Sequence, residues 1–208
     1  MIRSILPAPV RHFARAVTAD IRGATLPEFG VVLPTFLVLL FGIYDVGQGI
    51  YAQSVLQGAI QDAGRDAGLE SGSGATAQID QYVKSQMGPI AITNPNYTIE
   101  RKNYFEFSKV GQPEVFTDAN DNDAYDSDEC FVDENANQQW DDDVGKSGVG
   151  GANDVQVYTV TVEYDRVFPL WKLIGGDERS TVSASTMLRN QPFGAQATRV
   201  STQICPED

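Results

Sequence analysis

The sequence predicts an α+β protein: a long N-terminal membrane and stem helix packed on a small antiparallel β-sheet domain that contains an acidic ion-binding loop. Three observations predict it. Phe29 to Tyr44 carries no charge, Ala52 to Ala67 repeats apolar residues at helical spacing, and three later segments alternate apolar and polar residues as half-buried strands do.

The first 23 residues are a basic leader. Arg3, Arg11, Arg15 and Arg22 stand against Asp20 alone, which leaves +3 there; with a net charge of −13 for the chain, residues 24–208 carry −16. This asymmetry keeps the leader cytoplasmic and sends the long C-terminal part across the membrane. So acidic an exported part makes nucleic acid and anionic lipid poor partners.

The uncharged run Phe29 to Tyr44 makes ~24 Å of helix, short of a full span of roughly 20 residues. Leu26 and Pro27 extend it on one side, and Val46 to Gln61 is again free of charge on the other. An ordinary secretory signal or signal anchor has the same outline of a basic segment before an apolar one. Glu28 separates the two readings. A lone carboxylate in hydrocarbon costs roughly 2.5–3.5 kcal/mol, so it is normally paired or functional. A cut between Gly23 and Ala24 makes Glu28 the fifth residue of the mature chain and creates an α-amine at Ala24. In an assembling filament, that amine on a neighbouring subunit is the missing cation.

Gly23-Ala24-Thr25-Leu26-Pro27-Glu28-Phe29, then Val31-Val32-Leu33-Pro34 and a Leu/Phe run ending in Gly42-Ile43-Tyr44-Asp45-Val46-Gly47-Gln48, resembles the TadE-like pseudopilins of tight-adherence (Flp, type IVc) bacterial pilus systems. The resemblance is strongest over Arg22 to Gly68 and returns more weakly over Val182 to Phe193. It implies cleavage by a prepilin peptidase after Gly23 on the cytoplasmic side, with Gly23 and Ala24 as processing residues and Glu28 and Phe29 as assembly residues. It also implies a single-pass inner-membrane protein with a periplasmic C-terminal domain. The partners implied are the peptidase, other pseudopilins and pilins, and the inner-membrane pilus assembly machinery, with surface adhesion as the outcome.

Beyond the span, Ala52, Val55, Leu56, Ala59, Ile60, Ala63 and Ala67 share one helical face while Gln53, Gln57, Gln61 and Arg65 turn away. Phe29 to about Leu69 is therefore one continuous stem helix. Pro34 should kink it, Gly42, Gly47 and Gly49 offer weak close-approach faces, and Asp45 reads as a solvated boundary residue in preference to a specific intersubunit contact. Ser71-Gly72-Ser73-Gly74 ends the stem. Ala77 to Met87 is a short second helix stopped by Gly88-Pro89, and Tyr97 to Phe107, Val155 to Phe168 and Thr181 to Leu188 are the strands. The organisation expected is a removed leader at 1–23, a transmembrane and stem helix at 24–69, and an exported domain at 70–208 with its acidic loop at 114–145. The exported domain, 139 residues over 70–208, suffices for one core.

Between the first two strands, Val110 to Gly145 holds no Lys or Arg but twelve acids: Glu114, Asp118, Asp121, Asp123, Asp126, Asp128, Glu129, Asp133, Glu134, Asp141, Asp142 and Asp143. Such a segment is either splayed in water or organised by a cation. The spacing favours Ca2+. Asp118, Asn120, Asn122, Asp126 and Glu129 fall at positions 1, 3, 5, 9 and 12 of a twelve-residue EF-hand-type loop, similar to those of dockerin and thrombospondin type 3 repeats. A weaker copy follows at Asp133, Asn135, Asn137 and Asp141, where Val144 stands at position 12 and Asp142 or Asp143 would have to substitute. Asp123 and Gln138 replace the glycine usual at position 6. Cys130 and Cys205 read as one disulfide clamping the loop to the chain end, or as two free thiols if the chain stays in a reducing compartment.

Enzymatic constellations are not expected. His12 is the single histidine and lies in the leader, which removes a Ser/His/Asp triad and His-based zinc sites from the mature chain. The acids cluster at ion-ligand spacing without surrounding aromatics, unlike a glycosidase pair. Phe168, Leu170, Trp171, Leu173 and Ile174 form either a core-capping corner or a partner patch, and Trp140 should pack against the sheet. The alternative to the pseudopilin is a signal-anchored, calcium-dependent periplasmic or surface adhesion module that never enters a filament.

Overall fold

The computed structural model of the chain describes residues 25–69, 76–91, 93–168, 170–173, 175–192 and 195–206. The leader, with its expected cleavage pair Gly23 and Ala24, and the tract Ser71–Gly74 lie outside the described residues.

Helix α1 (Thr25–Leu69) runs through Pro34 as one element, and α2 (Thr76–Met87) folds back against it. Among the described residues, one helix, Glu28–Arg65, is long and apolar enough to cross a membrane. Strands β1 (Asn96–Tyr104), β3 (Lys146–Ser147), β4 (Val155–Asp165) and β5 (Arg179–Arg189) form an antiparallel sheet ordered β3-β1-β4-β5. A second, two-stranded antiparallel sheet joins β2 (Phe131–Asp133) to β6 (Thr202–Ile204). The short helix α3 (Leu170–Leu173) lies between β4 and β5.

The helical and strand periods meet at one interface. Ala52, Leu56, Ala59, Ile60 and Ala63 of α1 are buried against Tyr158, Val160, Val162 and Tyr164 of β4 and Val182 of β5, with Val83 and Met87 of α2 closing the side. From Tyr158 to Tyr164 every second residue of β4 points into this core, as the two-residue period of a strand requires. Burying a side chain of Leu, Ile or Val size contributes about 1.5–3 kcal/mol. At Gly64 the helix lies so close to β5 that an added Cβ would stand 3.1 Å from Thr186 Cγ2. Polar bonds fix the register: Gln48 Nε2 donates to the Ile90 carbonyl at 3.3 Å, and Gln53 Nε2 to the Ser183 carbonyl at 2.8 Å. Asp80 of α2 pairs with Arg101 of β1 and accepts from the Tyr158 hydroxyl at 2.8 Å.

Three local expectations change. Asp45 is not solvated: it is 6% exposed, pairs with Arg166, and accepts a hydrogen bond from the Trp171 indole at 2.6 Å. The cation that allows its burial lies 121 residues away in sequence, at the end of β4. Phe168 of the apolar corner stacks on Phe41 of α1 with ring centroids 4.3 Å apart, while Ile174 and the side chain of Leu173 lie outside the described part. Trp140 does not pack on the four-stranded sheet either. It stacks on Tyr125 at 4.7 Å, meets Phe116 edge-on, and with Phe131 completes an aromatic cluster inside the acidic segment. That cluster corrects the expectation that aromatics are missing there.

Candidate functional site

The membrane end of the site is the start of α1. Glu28 is the acid of its first turn, where the unpaired backbone N–H groups and the helix dipole favour negative charge. Phe29 beside it is 63% exposed. A lone acid and an exposed aromatic at the tip of an apolar helix are suited to docking against another helix in lipid.

The second candidate site is the acidic segment, where the backbone repeats itself. Residues 114–128, Glu-Val-Phe-Thr-Asp-Ala-Asn-Asp-Asn-Asp-Ala-Tyr-Asp-Ser-Asp, align with 129–143, Glu-Cys-Phe-Val-Asp-Glu-Asn-Ala-Asn-Gln-Gln-Trp-Asp-Asp-Asp, at an offset of fifteen. In the first loop Asp118 accepts the backbone N–H groups of Asn122 and Asp123, and Asn122 Oδ1 accepts that of Ala124. In the second, Asp133 accepts those of Asn137 and Gln138, and Asn137 Oδ1 accepts that of Gln139. The amides of Asn120 and Asn122 both donate to Asp126 at 2.8 Å, and those of Asn135 and Asn137 both donate to Asp141 at 2.6 Å. Positions 4 and 6 are left-handed in both loops: Asp121 and Asp123 at φ 58° and 59°, Ala136 and Gln138 at 63° and 65°. Asp tolerates this region through local hydrogen bonds, whereas Ala and Gln take it at a cost of about 1–2 kcal/mol.

The closing glutamates are exchanged between the repeats. Glu129, which opens the second repeat, reaches back to the first loop, accepting from the N–H of Ala119 at 2.7 Å and of Asp126 at 3.2 Å. Glu114, which opens the first repeat, does the same for the second loop, accepting from Glu134 at 2.8 Å and Asp141 at 3.3 Å. The aligned Phe116 and Phe131 form an antiparallel bridge, and the aligned Tyr125 and Trp140 stack, so the two copies face each other. Trp140 Nε1 also donates to the Glu114 carbonyl at 3.0 Å.

Glu114 is thus a site residue that position counting within one loop does not find. The signal for it was the fifteen-residue offset, which pairs Glu114 with Glu129. Asp143 does not substitute at position 12: its carboxylate is held by Lys102 at 2.7 Å and the Tyr104 hydroxyl at 3.0 Å. Burial works against ionising Asp143, but Lys102, the Gly145 N–H and Tyr104 together hold its carboxyl below the ordinary aspartate range. Glu114 is 1% exposed, and among the described residues no Lys or Arg pairs with it. Burial pushes its carboxyl above the usual range; the N–H groups of Glu134 and Asp141 pull the other way, and the charges of Asp133 and Asp141 add to the rise.

Each loop therefore offers three carboxylates, two side-chain amides and a position-7 carbonyl, an all-oxygen donor set that suits a hard divalent cation. Among the described residues, no group of three or more Asp, Glu, His or Cys is gathered into a compact metal centre. The carboxylates face backbone N–H groups and the asparagine amides instead. Cys130 and Cys205 are joined by a disulfide, tying the second repeat to the C-terminal strand β6.

Fold and site together define an α+β protein with a membrane-length N-terminal helix, a disulfide and a paired acidic repeat. The family model for TadE-like protein matches residues 23–65, from the expected processing glycine through the stem, so this part of the chain is similar to TadE-like protein. No curated protein and no solved structure matches the chain.

Proposed function

We propose that the chain is a minor pseudopilin of a tight-adherence pilus system, working by assembly and not by chemistry. Prepilin peptidase removes residues 1–23, Glu28 pairs with the terminal amine of a partner subunit, and the stems associate in the inner membrane into a pilus or its initiating complex. The observation that carries this reading is a TadE-like match that starts at Gly23 and covers a helix with Glu28 in its first turn. Exposed apolar side chains from Phe29 to Tyr51 give that helix a surface for lipid and for partner stems. Substituting Glu28→Ala tests it. The variant should still be cut and membrane-bound yet disappear from sheared pili and from complexes with other pseudopilins. Assembly at the normal level would instead favour a plain anchored adhesion module.

We further propose that Ca2+ occupies the acidic repeats in the exported domain. Asp118, Asn120, Asn122, Asp126 and Glu129 would hold one ion, and Asp133, Asn135, Asn137, Asp141 and Glu114 the other. The ions supply charge neutralisation and no catalysis. Support comes from the matched donor sets, from the left-handed turns at positions 4 and 6, and from six site carboxylates with no arginine or lysine ion pair to any of them among the described residues.

A further inference from the structure

We propose that the segment linking β4 to β5, with Arg166, Phe168 and Trp171, is an interfacial anchor that reaches from the phospholipid headgroups into the upper hydrocarbon layer beside the stem helix. The proposal rests on the reading of α1 as a membrane span. Along α1, Phe29, Val31, Phe36, Ile43, Ile50 and Tyr51 are each more than half exposed, and polar residues follow from Gln53 and Ser54 onward. Phe29 to Tyr51 rises ~33 Å, which matches a hydrocarbon core of about 30 Å with a rim at one interface. Asp45 lies six residues before Tyr51, hence ~9 Å deeper along the helix. At that level one side of α1 is covered by the exported domain.

What covers it is suited to the interface. Phe168 stacks on Phe41 and meets Tyr44 edge-on at 5.4 Å, lining the helix where it is still apolar outside. Trp171 donates its indole N–H to Asp45, and the Arg166 guanidinium lies 5.3 Å from the Trp171 ring while pairing with the same carboxylate. An ionised Asp at this depth needs a partner carried down to it, and arginine brings one while its apolar stem stays in the low-dielectric zone. Tryptophan is enriched at this level because its ring is apolar and its N–H is not. Lys172 and Glu178, paired at 2.7 Å and exposed, mark the water side. The exported domain therefore rests on the bilayer by this corner and is held there by the Asp45 clamp.

The test is depth-dependent tryptophan quenching in the full chain reconstituted into phosphatidylethanolamine/phosphatidylglycerol vesicles. Trp140→Phe leaves Trp171 as the single reporter, and a second chain, Trp140→Phe/Trp171→Phe/Phe36→Trp, reports on the span itself. Trp171 emission should be lost to lipids brominated near the headgroup and be protected from aqueous iodide. Quenching of Trp171 by iodide alone, with the position-36 reporter quenched by lipid, would overturn the anchor and leave the span standing. A position-36 reporter untouched by lipid bromine would overturn both. Should Trp140→Phe misfold, 5-fluorotryptophan in the unsubstituted chain resolves the two indoles, and relaxation agents in lipid and in water give the same decision.

Discussion

Two residues show how much of the C-terminal domain depends on single side chains. Glu114 closes a loop it does not belong to in sequence, so its removal should be felt at Asp133 and Asp141 and not at Asp118. Calorimetric titration should count two calcium ions per chain, one in Glu114→Gln and one in Glu129→Gln. Saturation at 100 times the dissociation constant adds about 2.7 kcal/mol per site, so the melting temperature should rise with calcium and fall with chelator, by less in either variant. A chain whose melting curve ignores calcium contradicts the proposal. Gly145 makes a different demand. A Cβ there would lie 2.6 Å from the Tyr104 ring, which is buried in the small second core with Val144 and Val155. Gly145→Ala should therefore cost about 1–3 kcal/mol through overpacking, read as a lower urea midpoint at an unchanged slope.

The elements were the legible part of this chain, because their signal is local. The apolar spacing from Ala52 to Ala63 fixes one face of α1 whatever lies elsewhere, and the alternation from Tyr158 to Asp165 fixes one face of β4. What stayed hidden was pairing across distance. Asp45 looked like a solvated boundary residue because nothing near it in sequence is basic, and its partners Arg166 and Trp171 reach it only once the β4–β5 link folds onto the stem. The second acidic loop looked incomplete because its closing acid precedes it by a whole repeat. Trp140 looked like a sheet residue because its true neighbour, Tyr125, occupies the same place in the other copy. The α1–sheet interface itself carries a plain prediction. Leu56 is fully buried between the stem and the sheet, so Leu56→Ala should destabilise the detergent-solubilised chain by about 2–5 kcal/mol, measured by denaturant unfolding followed by circular dichroism. A loss within 0.5 kcal/mol would mean that the helix does not pack there.

At the scale of the whole molecule, three couplings run end to end. The sheet packs on the stem through the α1 stripe, the β4–β5 link holds Asp45 lower on the same helix, and Cys130–Cys205 ties the acidic repeats to the last strand. Gln196 and Arg199 brace that C-terminal segment against Phe105, Asp154 and Asn103, so the chain end is stapled across the edge of the main sheet. In the chain-entropy view the disulfide, closing a separation of 75 residues, stabilises by roughly 4 kcal/mol. A load on the stem would thus pass to a domain fastened at both ends, which suits a subunit that is moved as a unit. In the proposed function such movement begins with one covalent event at the leader, and intact-mass analysis of the chain purified from the membranes of the cells that make it reads that event directly. The account predicts a mature chain that starts at Ala24; a chain that still starts at Met1, or one that starts beyond Tyr44, would contradict it.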